Sequence, residues 1–165
     1  QLLSMILGGG MSSRLFIEVR EKRGLAYRIR SGATPYNETG DFITYAGLNS
    51  GNLLEGLKVI LAEHKKLTQE PVSEKELTRV KDQIRGSFVI GLEQSDDQAS
   101  FYGEQELLEH KIETPEERLA KITAVTREDI LEVARDIFKP EKLNLAIIGP
   151  LEGGNPEIKK VLNLW

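Results

Sequence analysis

The stretch "ILAEHKK", residues 60–66, holds the two side chains best suited to metal chemistry, Glu63 and His64. A helical H-x-x-E-H arrangement grips zinc through two histidines one turn apart and uses the glutamate to polarise water. Here the first histidine would fall at residue 60, which is Ile60, and Ile60 continues an apolar register with Leu53 and Leu57. The second histidine of the chain, His110, precedes a presumed loop, and there is no cysteine to supply a thiolate. We therefore expect no metal site in this chain and read His64 as a partly buried helix residue. A serine nucleophile finds no support either, because no G-x-S-x-G elbow occurs. No catalytic residue is assigned within the chain.

Gly8, Gly9 and Gly10 invite a phosphate-loop reading, which needs G-x-x-x-x-G-K-[ST] after a strand. These glycines come after an apolar helical run and no lysine comes next, so a tight helix-to-helix turn is the better account. Beyond them Arg14, Arg20, Lys22, Arg23, Arg28 and Arg30 outnumber Glu18 and Glu21. A solvated helix face and then a strand face explain this run. The net charge of −4 also argues against a general nucleic-acid binder, and no nucleic-acid partner is expected.

Those residues must be positioned by 165 residues with 39% hydrophobic and 29% charged side chains, the balance of one soluble globular domain spanning 1–165. No apolar run reaches the roughly 20 residues of a membrane span. The absence of cysteine suits a reducing compartment, and a cytoplasmic location is expected. Gln1–Leu7 reads as the last turns of a helix that begins upstream. From Ser12 to Arg23 a second helix is predicted, capped by Ser12 or Ser13, with Leu15, Phe16 and Val19 inward and Gly24 as its stop. Residues 26–34 alternate, with Tyr27 and Ile29 on one face and Arg28 and Arg30 on the other. The "NETG" turn at 37–40 and a second strand at 42–48 complete an antiparallel hairpin.

The rest of the chain is mainly helical. Leu53, Leu57, Ile60, Leu61 and His64 share one helical face. Ser73 to Glu76 reads as a capping box opening a helix with Leu77, Val80, Ile84 and Phe88 inward. Ser95 with Gln98 restarts a helix to about His110. Thr114 and Thr126 cap two more, with Pro115 at the first helical position of the former. "KLNLAIIGP", 142–150, is predicted as a short strand, and the tail from Pro156 places Ile158, Val161, Leu162 and Trp165 at helical spacing. The sum is an α+β fold with an antiparallel sheet covered on one face by helices.

The segment "LGGGMSSRLFIEVREKRGLAYRIRSG", residues 7–32, resembles the second, non-zinc-binding half of the pitrilysin/insulinase family of zinc metallopeptidases, of the mitochondrial-processing-peptidase type. The hairpin with "YNETGDFITYAG", the helix after "NSGNLLEGL", the "VSEKELTRVKDQIRGSFV" helix and "LNLAIIGP" occur in the family's order. The resemblance implies one half-domain of a processing-peptidase-like fold lacking its first strand. The open edge so left is expected to be filled by another copy of the chain (a homodimer), by a rearranged terminus, or by water. It implies further that the chain is the C-terminal, inactive half of a two-half unit. Its partner would be a zinc-bearing catalytic half, on the same polypeptide or on a separate subunit, and its ligand a peptide substrate. The family's arginine and tyrosine, seven positions apart, match Arg20 and Tyr27, which the resemblance makes substrate-binding residues. A non-catalytic structural subunit of the same fold is the alternative.

Overall fold

Seven residues, Leu2–Gly8, form the first helix, α1, in the computed structural model, which describes residues 1–36, 38–150 and 155–163. Leu2, Leu3, Ile6 and Leu7 are all buried, so this short helix is held by tertiary burial rather than by its own length. Gly8 lies against the sheet. A Cβ there would sit 2.3 Å from the backbone nitrogen of Ser31, so only glycine lets the helix end approach the strand so closely.

The predicted hairpin is present as β1 (Ala26–Pro35) and β2 (Gly40–Leu48), paired antiparallel with Ser31 opposite Thr44 and Arg30 opposite Tyr45. Asn37, in the predicted turn, and Trp165, in the predicted tail, lie outside the described residues. The inner face, with Ile29, Ser31, Phe42 and Thr44, meets α1 and the later helices; the outer face is open. Helix α2 (Leu53–Gln69) buries Leu57, Ile60, Leu61 and His64 of the predicted face, together with Leu67, while Leu53 is half-buried. Helix α3 (Glu74–Ile90) buries Leu77, Val80 and Ile84, while Phe88 is only half-buried and packs edge-on against Phe101. Ile60, Leu67, Leu77, Val80 and Ile84 join Leu15, Val19 and Ile130 in one hydrophobic core.

Helix α4 (Ser95–Glu104) passes into a π turn at Gln105–Glu109 that ends at His110 with φ 51°. Helices α5 (Pro115–Ala124) and α6 (Arg127–Ile137) begin with complete capping boxes, Thr114 with Glu117 and Thr126 with Asp129. Helix α7 (Pro156–Leu162) docks Val161 into a second small cluster with Leu57 and Leu61.

Expectations change at residues 143–148, at the Ser73 cap and at Phe16. Residues 143–148 form no strand: no described strand pairs with them in a ladder, and Ile148 is fully exposed. Ser73 accepts the Glu76 N–H at 3.2 Å, but the box is only half made, because the Glu76 carboxylate is taken by Arg14. Phe16 is half-buried rather than inward, with the Arg20 guanidinium over its ring at 4.9 Å.

Candidate functional site

The segment carrying Arg20 is not a regular α-helix. Phe16–Glu21 is a π turn, in which the Lys22 N–H reaches the Ile17 carbonyl at 2.9 Å, five residues back. One extra residue per turn rotates the downstream side chains relative to an α-helix, and such turns often occur at working sites. Leu15 and Val19 remain fully buried, which fixes the segment against the core and leaves Arg20 on the exposed side.

Gly24 then reverses the chain. Its φ of +60° is the left-handed conformation that glycine adopts without penalty, and its N–H closes on the Arg20 carbonyl at 3.0 Å. The Leu25 N–H donates to the Val19 carbonyl at 2.9 Å, and β1 begins at once.

The first residues of β1 carry a bulge. Ala26 pairs with Leu48 and Arg28 with the next residue, Gly47, so Tyr27 is the extra residue of the strand. A bulge re-aims the side chain it holds. Ala26, Ile29 and Ser31 are buried while Tyr27 is 87% exposed. This corrects the expected alternation: Tyr27 does not share the inward face of Ile29, because the bulge turns it out. The result brings Arg20 and Tyr27 together, with the guanidinium 5.8 Å from the Tyr27 ring centroid. The two side chains border a recess whose floor includes Gly24, Leu25, Gly47 and Asn49.

The basic run around this pair is largely answered by the protein itself. Arg14 makes a fork-to-fork pair with Glu76, Nε to Oε1 at 2.8 Å and Nη2 to Oε2 at 2.9 Å, both side chains mostly buried. The Glu76 hydrogen bond and charge raise the Arg14 pKa against the cost of burial. Burial pushes the Glu76 carboxyl upward, but the Arg14 guanidinium prevails and holds it below its ordinary value. Lys22 and Arg23 both close on Glu18, at 2.6 and 2.7 Å, and pull its carboxyl down to about 2. Arg20, Arg28 and Arg30 have no carboxylate partner among the described residues. Arg30 instead lies over the Tyr45 ring at 5.0 Å.

His64 has another fate. Its Nδ1–H donates to the Ile60 carbonyl at 2.8 Å, which leaves Nε2 to accept from the Thr44 hydroxyl at 3.1 Å. The Thr44 oxygen lies 2.9 Å from that of its cross-strand partner Ser31. Burial lowers the His64 pKa to about 4, against the opposing Ile60 bond. Phe42 and Phe138 pack edge-on against the ring. Glu63 is tied to Lys66 at 2.5 Å, and no group of three or more His, Cys, Asp or Glu side chains among the described residues could hold a metal ion. The residues of "ILAEHKK" do not fit zinc: one nitrogen faces its own helix, the other a hydroxyl, and an isoleucine stands at the first ligand position.

Fold and site together define a class: an α+β domain that presents a cation and a phenol from a helix–turn–strand unit while its one buried histidine is committed to packing. The sequence profile described as the Peptidase M16 inactive domain matches residues 1–84, and the chain belongs to that family. An uncharacterized zinc protease of Streptomyces coelicolor is 38% identical over 151 residues, covering 92% of this chain and 33% of that protein. One from Bacillus subtilis is 36% identical over 149 residues, covering 90% and 36%. The crystal structure of a peptidase M16 inactive domain from Pseudomonas fluorescens superimposes with a TM-score of 0.74 at 26% identity, covering 82% of this chain and 32% of the other. The chain thus spans about a third of the length of the curated relatives it matches. The resemblance drawn from residues 7–32, the α+β class and the inactive-domain character agree with these likenesses. Among the described residues no helix is long and apolar enough to cross a membrane.

Proposed function

We propose that this chain is the C-terminal, substrate-binding half of a zinc-dependent metalloendopeptidase, working opposite a zinc-bearing half that carries the hydrolytic chemistry. The single observation behind the reading is the convergence of Arg20 and Tyr27 on one exposed recess, from a π turn on one side and a bulge on the other. An arginine fork donates two parallel N–H groups to a peptide carbonyl, and a phenol O–H donates to an oxygen on which negative charge develops. The pair therefore has the chemistry to hold a peptide and to favour the transition state over the ground state. Its partners would be the catalytic half and the peptide, and a cytoplasmic place suits the cysteine-free composition.

The test uses the chain assembled with its zinc-bearing half, whether on the same polypeptide or on a separate subunit. Arg20→Ala, Tyr27→Phe and the double variant are assayed for peptide cleavage and for melting temperature. Each single change is expected to lower kcat/KM by about 100-fold, on the order of 3 kcal/mol for a lost donor to a developing charge. The double variant is expected to lose less than the sum of the singles, because both groups serve one bound geometry. Unchanged cleavage by both single variants would refute the reading and favour a purely structural role for the domain.

A further inference from the structure

The outer face of the hairpin begins beside the Arg20–Tyr27 recess, whose lining includes Tyr27 and Gly47. By the pairing register Arg28, Arg30, Tyr45 and Asp41 share that face, since Arg30 lies opposite Tyr45 and Thr34 opposite Asp41. Arg28 and Arg30 are exposed, and Tyr45 is half-exposed beside them. The charge along this face is directional, cationic at the bulge end and anionic at the turn end, where Asp41 and Glu38 stand.

Arg20, Arg28 and Arg30 are neighbouring arginines without a carboxylate partner among the described residues of this chain. It carries 26 acidic residues against 22 basic ones, and Arg14, Lys22 and Arg23 nearby all find acidic partners. Arginine is also the cation whose planar fork matches a carboxylate. Resting over Tyr45, the Arg30 guanidinium is held in place while its edge stays free to donate. Arg28 and Arg30 are two residues apart on an antiparallel strand, so their stems are about 7 Å apart. An extended peptide lying along the strand repeats at the same rise and would present alternate side chains at the same interval.

We infer that the outer face of the hairpin selects acidic polypeptide, with Arg28 and Arg30 receiving carboxylates from alternate residues of an extended peptide whose main chain is gripped at Arg20 and Tyr27. This rests on the function proposed above and adds to it the substrate class. Nucleic acid fits the face less well. Three unanswered arginines on a chain of net charge −4 are a small electrostatic footprint for a phosphate backbone.

The experiment again uses the chain assembled with its zinc-bearing half, with two fluorogenic peptides alike except for Glu-x-Glu in one and Gln-x-Gln in the other. Cleavage is measured with zinc present, and binding by anisotropy after the metal has been removed. The wild type is expected to prefer the Glu peptide by about fivefold, as befits two solvent-exposed ion pairs. The preference should fall to about one in the Arg28→Gln/Arg30→Gln variant, return with Arg28→Lys/Arg30→Lys, and weaken with salt. An equal preference in wild type and Gln variant, or equal losses on both peptides, overturns the inference while leaving the peptidase reading intact. No cleavage of either peptide, with the preference retained in binding, overturns the peptidase reading and leaves acidic-peptide selection standing. A single-stranded oligonucleotide that displaces the Glu peptide at equal concentration overturns it in favour of nucleic acid.

Discussion

The two faces of the β1–β2 hairpin treat polar chemistry in opposite ways. On the inner face Ser31, Thr44 and His64 form a line of hydrogen bonds that ends on the Ile60 carbonyl, walled in by Phe42 and Phe138. On the outer face Arg20, Tyr27, Arg28 and Arg30 are exposed, and none of the arginines meets a carboxylate of the described residues. The histidine, the side chain most often enlisted for catalysis, is here a packing residue. Exposed arginine and tyrosine at the bulged end carry the recognition proposed for the domain. Residue type alone does not decide which groups are available; the direction in which the strand turns them does.

That contrast can be broken most forcefully from inside. Gly8→Ala places a Cβ 2.3 Å from the Ser31 nitrogen, beneath the inner line of hydrogen bonds. Overpacking against a strand backbone is expected to cost on the order of 3 kcal/mol, read as a lower urea midpoint. A midpoint equal to that of the wild type would mean that α1 and β1 are not locked together there.

Acid should have a comparable effect through His64. Its folded pKa of about 4 lies below the ordinary 6.5, so protons bind the unfolded chain preferentially between those values. The stability this group leaves intact above about pH 6.5 is lost as pH falls toward 4, by up to about 3 kcal/mol in total. A His64→Gln variant is expected to lack that part of the pH profile. Superimposable profiles for the two proteins would show that another group governs acid sensitivity.

A smaller effect separates the two arginines at either end of one segment. Arg14→Gln abandons a largely buried Glu76 and is expected to cost roughly 1–2 kcal/mol of folding stability. Arg20→Ala is expected to change stability by about 0.5 kcal/mol or less, since it removes an exposed side chain. Thermal melts of both variants sharpen the comparison. A large loss with Arg20→Ala would make its stacking on Phe16 structural.

How much of the molecule the sequence disclosed depends on the range of the forces involved. The Thr114 and Thr126 caps were legible because cap and partner lie three residues apart, and the amphipathic face of α2 because helical periodicity is local. The Ser73 box was half legible: Ser73 acts as read, but Glu76 answers Arg14 from 62 residues away. The strand expected at 142–150 depends on a neighbour, and local propensity cannot supply one. Arg20 and Tyr27 came from a resemblance, while the π turn and the bulge that aim them are departures from the ideal periods used to read the chain. Arg28 and Arg30 read as a charged strand face, and nothing local in the sequence marks Tyr45. Its place beside Arg30 comes from the hairpin register.

The π turn and the bulge have a common arithmetic. Each inserts one residue more than its regular counterpart would use, and the interval from Arg20 to Tyr27 runs from inside the one to the extra residue of the other. A designer idealising this backbone would remove both, since regular helices and evenly paired strands fold most dependably. The smoothed protein would keep its core, and its arginine and tyrosine would point in different directions.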